Sequence, residues 1–337
     1  MAQIDIFNND AFGLVEMTGA LDRIPFRPQL LGQLNIFTPR PISTTVFGVE
    51  NRGNKLSVIK STPRGGPLPQ LGEDKRQVHF FETVRIAKGD RLNASEIQNM
   101  RAFGSQSELA TVQVETLRRQ TRLRNDAEIT LERHRFGALR GLVLDADGEV
   151  LFNWYDLFGI APPAPVSFEL DDAETDVRGK LRTVKRRMQV ASQGAWRPGT
   201  RVGALAGDNF YDALLNHPSI KETKLNTDRG AAMLENIDGF SSIEVEGITF
   251  INYRGVDDGS DISIGTDEVQ FFPVGSDVME HVMSPGEWFD VVNTPGKPFY
   301  ALTIPDEKRN AFVELEVYSY PAMVATRPEM LQRGSRV

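Results

Sequence analysis

The chain has 337 residues, 40% of them hydrophobic and 25% charged, with a formal net charge of −8 and no cysteine. That length can bury a large core and favours about two domains, while the missing thiols exclude disulfides and thiolate zinc sites. The acid excess speaks against a general nucleic-acid coat, which needs clustered cations over a whole face.

Residues Met1 to Asp10 hold no basic region followed by an apolar run, and no apolar stretch of about 18 residues occurs that could span a membrane. The protein is expected to stay where it is made. Residues 1–41 mix apolar residues with Pro25, Pro28, Pro39 and Pro41 and show little periodicity beyond a short helix near Ala11 to Ala20. This composition reads as an arm that needs a partner surface to order it, or equally as a mobile tail.

Ile42 to Glu50 is β-branched and aromatic, Asn51-Arg52-Gly53-Asn54 is turn chemistry, and Lys55 to Lys60 alternates, so a hairpin is expected. A tip rich in Pro and Gly, Thr62 to Pro69, leads through a polar run to a third strand, Gln77 to Ile86. Such a tip suits a hairpin projecting from the body. Arg64-Gly65-Gly66 lacks the Gly-Lys-Ser/Thr ending and following helix of a phosphate-binding loop.

Asn93-Ala94-Ser95-Glu96 caps a short helix running to Phe103. Ser105 to Glu108 is a second capping box, and no proline follows until well past Arg140-Gly141, where a cation and a C′ glycine suit a helix end. The helix Ser105 to Arg140 would be roughly 50 Å long at ~1.5 Å per residue. One thin stripe (Ala110, Val114, Leu117, Thr121, then Leu123, Ala127, Leu131) is apolar or small. The remaining faces, with Arg118, Arg119, Arg122, Glu128, Glu132 and Arg135, are expected to meet water or other subunits. Asn125-Asp126 is a point at which the helix could divide.

Leu142 to Phe152 reads as a hairpin turning at Asp145-Ala146-Asp147-Gly148, which lacks the other ligand positions of a calcium loop. Ala161 to Pro165 marks a domain boundary. Asp171, Asp172, Glu174 and Asp176 then open a helix whose far end carries Lys180, Arg182, Lys185, Arg186 and Arg187, a polarity that complements the helix dipole; the alternative is a cationic strip facing a polyanion. Val202 to Ala206 reads as a buried strand, Asp208 to Asn216 as a helix, and Ile243 to Tyr253 and Glu268 to Pro273 as strands flanking an acidic loop at Asp257 to Asp261. Ala311 to Tyr318 is the last regular strand expected.

His79, His134, His217 and His281 stand in no metal-ligand spacing, and no nucleophile elbow, dinucleotide turn or kinase set is present. Neither catalytic residues nor cofactor nor metal is expected. An ordering-dependent arm, a projecting hairpin and a long helix with spare faces point to self-association.

Taken together, Pro39 to Val46, Ser61 to Gly66, the long helix feeding Ala138-Leu139-Arg140-Gly141, the Asp145 to Val150 hairpin, Val245 to Phe250, Phe271 to Gly275 and Pro298 to Arg327 resemble, in their order, the major capsid protein family of tailed phages typified by phage lambda. The resemblance implies an α+β architecture, the Hong Kong 97-like capsid fold. Residues 1–41 would be the N-terminal arm, 42–90 the extended hairpin, or E-loop, 91–164 and 286–337 the peripheral domain, and 165–285 the axial domain. It also implies hexamers and pentamers closing into an icosahedral shell around double-stranded DNA, with portal, scaffolding and decoration proteins as partners and assembly in the host cytoplasm. Arg40, Arg64, Gly65, Gly66, Arg118, Arg119 and Arg122 are the candidate subunit-interface residues, and Lys180, Lys185, Arg186 and Arg187 the candidate DNA-facing strip. The rival readings are a prophage-derived nanocompartment shell and an enzyme with a dispersed site.

Overall fold

The structure, a computed structural model, describes residues 30–51, 77–98, 108–224, 242–253 and 264–337. In chain order the first part gives α1 (Leu30–Gln33), β1 (Thr38–Pro41), β2 (Val46–Asn51), β3 (Gln77–Glu82), β4 (Ile86–Asn93), α2 (Ala94–Gln98), α3 (Glu108–Arg140), β5 (Leu142–Leu144), β6 (Val150–Asn153) and α4 (Trp154–Phe158). Then come β7 (Val166–Ser167), α5 (Val177–Ala191), β8 (Arg201–Ala206), α6 (Asp208–Asn216), α7 (Pro218–Lys224), β9 (Ser242–Val245), β10 (Ile248–Asn252) and β11 (Glu268–Val274). The last strands are β12 (Met279–Met283), β13 (Tyr300–Pro305), β14 (Phe312–Ser319), β15 (Pro321–Ala325) and β16 (Gln332–Ser335). The expected helix near Ala11, the strand Lys55 to Lys60, the tip at Thr62 to Pro69, the capping box at Ser105, the end of the short helix at Phe103 and the loop at Asp257 to Asp261 lie outside the described residues.

α3 runs unbroken through Asn125-Asp126 and stops where Gly141 takes a φ of +78°, its N–H donating to the Ala138 carbonyl at 3.1 Å. The glycine inside the helix, Gly137, lets β5 approach: a Cβ there would sit 2.7 Å from the Leu142 carbonyl oxygen. The expected distribution of faces is overturned. Val114, placed in the apolar stripe, is 68% exposed, whereas Glu128, Glu132 and Arg135, placed on solvent faces, are buried, as is Glu115. Among the residues of α3 whose side chains are described, 113–140, Val114, Arg118, Arg122 and Asn125 form the open stripe, at helical spacing. The rest is covered because β4, β5, β14, β15 and α1 pack around the helix.

The burial of acids follows from their partners. The Glu132 carboxylate accepts the Leu31 amide at 2.7 Å and the Gly32 amide at 3.2 Å, and Arg135 lies 3.4 Å from it and 3.7 Å from Glu128. These bonds use the unpaired amides at the start of α1. Burial nevertheless holds the Glu128 and Glu132 carboxyls above the ordinary range, against the pull of Arg135.

Two hydrophobic cores share one sheet. In the six-stranded sheet, ordered β7-β16-β11-β8-β10-β9, β8 runs parallel to β10 and antiparallel to β11. Val202, Ala204 and Ala206 face Val177, Leu181, Val184 and Met188 of α5 and Phe210 and Leu214 of α6, while Leu205, Ile251 and Phe272 face the core that α3 joins. Sheets β1-β12-β15 and β13-β14-β4 complete that second core. Among the described residues no helix is long and apolar enough to cross a membrane.

Several boundaries differ from expectation. The strand expected at Gln77 to Ile86 divides at Thr83 to Arg85, where the Val84 amide leaves for the Pro321 carbonyl and β4 joins β14 instead. Ile243 to Tyr253 is a hairpin, because Glu246 and Gly247 both take positive φ (53° and 72°), the geometry of a tight turn between β9 and β10. The helix expected from Asp171 begins at Val177, capped by Asp176, and its basic residues lie mid-helix with none in the last turn, so the dipole does not account for them. Beyond β14, β15 pairs with β12, and β16 enters the six-stranded sheet between β7 and β11.

Removing the Glu132 carboxylate would leave the Leu31 and Gly32 amides without their acceptor and Arg135 with Glu128 alone, 3.7 Å away. Glu132→Ala should cost about 3–5 kcal/mol and abolish hydrogen-exchange protection at Leu31 and Gly32; an unchanged denaturation midpoint would refute the carboxylate's role.

Two buried imidazoles set a pH dependence. Burial drives His134 down to about 4 and His281 down to about 3, with Arg135 adding repulsion to both and Asp145 opposing it at His134. Both rings stay neutral in the fold, while the unfolded chain takes up protons below the ordinary value of 6.5. Their contribution is complete above that pH and is lost as pH falls, by at most about 1.4 kcal/mol per pH unit for each ring. The raised Glu128 and Glu132 carboxyls act in the opposite sense, their contribution being full below the ordinary 4.5 and lost as pH rises through the raised value. Between about pH 7 and about pH 4, the melting temperature of the native chain should therefore fall more steeply than that of a His134→Asn, His281→Asn variant. Parallel curves would show that the imidazoles are not responsible.

Candidate functional site

The stem of the expected hairpin is the first of the candidate surfaces. β2 and β3 pair antiparallel from Val46↔Glu82 to Asn51↔Gln77, and residues 52–76, outside the described residues, connect them in sequence. Period-two alternation sends Phe47 and Val49 inward, 3% and 2% exposed, and Phe81 follows them. Phe81 meets Trp154 edge-on at 5.5 Å and Phe47 at 5.7 Å between ring centroids, and His79 meets Phe158 at 5.9 Å. Trp154 stacks on Phe152 at 5.2 Å. The stem is thus rooted on β6 and α4 by aromatic contacts, each contributing about 0.5–1.5 kcal/mol beyond area burial. Phe80, opposite Gly48 on the other face, is 71% exposed.

The candidate arginines separate into anchored and open ones. Arg40 is tied to Glu280 at 2.8 Å and reaches the Gly48 carbonyl at 3.5 Å, which joins β1 to β12 and β2. Arg119 is a clamp within the subunit. Its guanidinium donates to Glu115 at 2.9 Å, Glu96 at 2.6 Å, Asp90 at 3.2 Å and the Arg91 carbonyl at 2.9 Å, binding α2 and β4 to α3. Arg118 forks onto Glu115 at 2.7 and 2.8 Å and otherwise faces solvent. The Arg118 hydrogen bond, followed by that of Arg119, holds the Glu115 carboxyl down at about 2, against burial. Arg122 is exposed and meets no acid among the described residues. Arg64, Gly65 and Gly66 lie outside the described residues.

On α5, Lys180 is paired with Glu169 at 2.7 Å, and the Lys185 ammonium lies against the turn at Gly247. Arg178 and Arg182 converge on Glu246, at 2.6 and 3.7 Å. Arg186 and Arg187 are exposed and meet no acid among the described residues. Of the candidate strip, Lys180 is thus engaged by an acid, while Lys185, Arg186 and Arg187 are engaged by none among the described residues.

Sequence reasoning missed an apolar knob. Phe289 is 99% exposed and Val292 51%, on a turn held beneath by Trp288, whose ring meets Tyr318 at 4.9 Å and Tyr300 at 5.9 Å. Trp288-Phe289-Asp290-Val291-Val292 has the composition of a buried strand, so nothing in its local pattern distinguishes the outward residue. Among the described residues no group of three or more His, Asp or Glu could hold a metal ion.

A family model described as phage major capsid protein E matches residues 13–335. The major capsid protein of Salmonella phage Felix O1 is 22% identical over 352 aligned positions, covering 95% of each chain. That of Pseudomonas phage KPP10 is 26% identical over 349, covering 96% of each. A crystal structure of a prophage protein from E. coli CFT073, described as a capsid protein, superposes with a TM-score of 0.61 at 12% identity, over 96% of this chain and 99% of that one. Its likeness carries the fold, and the matched sequence carries the family. The chain belongs to the phage major capsid protein E family, with the Hong Kong 97-like fold that its neighbours share.

Proposed function

We propose that this phage major capsid protein associates as hexamers and pentamers that close into an icosahedral shell around double-stranded DNA. The observation that supports this best is the hairpin stem: its strands are rooted by Phe47, Phe81 and Trp154, and the sequence places 25 residues, 52–76, between them. A loop of that length gains little from its own core and suits contact with a neighbouring copy. Identical weak contacts repeated over a closed lattice give a stable container without strong pairwise affinity. Within this reading 42–90 is the extended loop, 91–164 with 286–337 the peripheral region and 165–285 the axial region, to which β16 adds a strand. Arg118, Arg122 and the loop residues Arg64, Gly65 and Gly66 face neighbouring subunits; Arg40 and Arg119 act within the subunit. Portal, scaffolding and decoration proteins are the further partners, assembly takes place in the host cytoplasm, and the chain turns over no substrate.

Electron microscopy of the purified protein should show closed shells, and small discrete oligomers alone would overturn the reading. Deleting Thr62 to Glu73 and rejoining the strands should leave thermal unfolding nearly unchanged, since loop shortening alters closure entropy by only ~1 kcal/mol, yet abolish or misdirect closure. Normal shells from that variant would remove the hairpin as an assembly element.

DNA inside the shell must be accommodated without being gripped. Arg186 and Arg187 are the cations proposed to face it, through contacts that weaken steeply with salt. A cryo-electron microscopy map of the shell that puts both side chains on the outer surface would exclude them.

A further inference from the structure

The last turns of α3, the β5–β6 hairpin and the proline-rich segment after α4 line an open cavity of about 470 Å³. Its wall is of two kinds. Phe136, Leu142 and Pro162 present apolar surface, and Leu142 remains 36% exposed; Arg133, Arg140 and Arg333 present cations. Arg140 is committed, 3.5 Å from Glu268 and lying over the Phe136 ring. Arg133 and Arg333 meet no acid among the described residues. The acid in the wall, Asp156, already accepts a hydrogen bond from Asn153.

Tyr155 lines the same cavity. It is 6% exposed, and among the described residues its Oη has no hydrogen-bond partner. Burial holds its phenol up at about 12, with Arg333 pulling it down and Glu329 pushing it up, so the hydroxyl remains a donor. A buried donor without an acceptor costs about 1–3 kcal/mol. The chemistry that satisfies this wall is a carboxylate carried on an apolar body. A nucleic-acid duplex presents its phosphates on a convex polar surface and would leave the apolar half uncovered.

The chain carries a segment of that chemistry. Residues 1–22 contain Asp5, Asp10, Glu16 and Asp22 and no Lys or Arg, with Ile4, Ile6, Phe7 and Phe12 interleaved. The segment joins the described structure at α1, whose amides rest on Glu132, the residue preceding Arg133. The residues between Asp22 and Leu30 span up to roughly 28 Å when extended, and a tether of that span supplies a high effective concentration around α1 and the neighbouring turns of α3. We propose that this cavity docks residues 1–22 of its own chain, Arg133, Arg333 and the Tyr155 hydroxyl receiving the carboxylates and the Phe136–Leu142 wall receiving the apolar side chains.

Hydrogen exchange on the full, unassembled chain tests this without depending on shell formation. Amides within residues 1–22 should exchange at least about tenfold more slowly than in a free peptide of the same sequence. Arg133→Glu with Arg333→Glu should remove that protection, and adding Asp5→Lys and Asp10→Lys should restore it. Tyr155→Phe should reduce it less. Should the reversal variant fail to fold, Arg133→Gln with Arg333→Gln replaces it. Absence of protection in the native chain, protection that ignores the arginines, or protection that appears only at concentrations where a second copy binds would each overturn the proposal, as would cavity protection conferred by a DNA duplex instead.

Discussion

A carboxylate buried with its partners fixes the centre of this subunit. Glu132 is withdrawn from water at a desolvation cost of several kcal/mol, and what offsets that cost comes from separate parts of the chain: two amides of α1 and the Arg135 guanidinium from its own helix. The Tyr253 phenol at the end of β10 feels its charge, and His281 of β12 feels that of Arg135. A buried charge tolerates little displacement of its donors, because each lost bond leaves the ion uncompensated. Segments distant in sequence, α1 foremost, are thereby held in register against α3.

That register turns a long helix into a spine instead of a surface. The second such device, Arg119, draws Glu115, Glu96, Asp90 and the Arg91 carbonyl to one guanidinium, so the first half of the helix is latched to β4 and α2 as the second half is latched to α1. With both halves engaged, the outward stripe reduces to Val114, Arg118, Arg122 and Asn125. Shared burial extends this stiffness across the molecule, since the six-stranded sheet contributes one face to each core. A subunit that repeats through a closed lattice needs such a body, because small errors in each copy accumulate around a ring.

Local signals carried much of this architecture. Absence of proline and a C′ glycine marked the course and end of α3, and the bounds Asp208 to Asn216 for α6 and the turn at Asp145 to Gly148 followed from periodicity and turn chemistry. The fates of the polar residues on α3 did not follow, because whether Glu132 faces water depends on an amide 101 positions away, and no helical period records that. The hairpin at Glu246-Gly247 was hidden for a different reason: Glu at a positive φ is outside the usual Asn-Gly and Asp-Gly signals. For the assembly surfaces, the basic residues of α5 were visible as a group, but only the structure separates Arg178, Lys180 and Arg182, which are spent on nearby acids, from Arg186 and Arg187. Lys88 and Asp126 form a further latch, 2.6 Å apart, that sequence order alone could not pair.

The position of β16 has a consequence for how the subunit is made. It lies between β7 and β11, strands that precede it by long stretches of chain, and Arg336 just beyond it pairs with Asp171 and Asp267 on either side. Until this late-arriving strand inserts, β7 has no neighbour and one edge of β11 stands bare, with unpaired amides and carbonyls. Strand insertion across such a sequence separation is slow compared with local hairpin closure. During that interval the bare edge accepts a matching strand from any copy nearby, and in a cell filled with one protein at high concentration the nearest matching strand belongs to an identical chain. Strand exchange between half-folded subunits is therefore the misassembly to which this topology is most exposed.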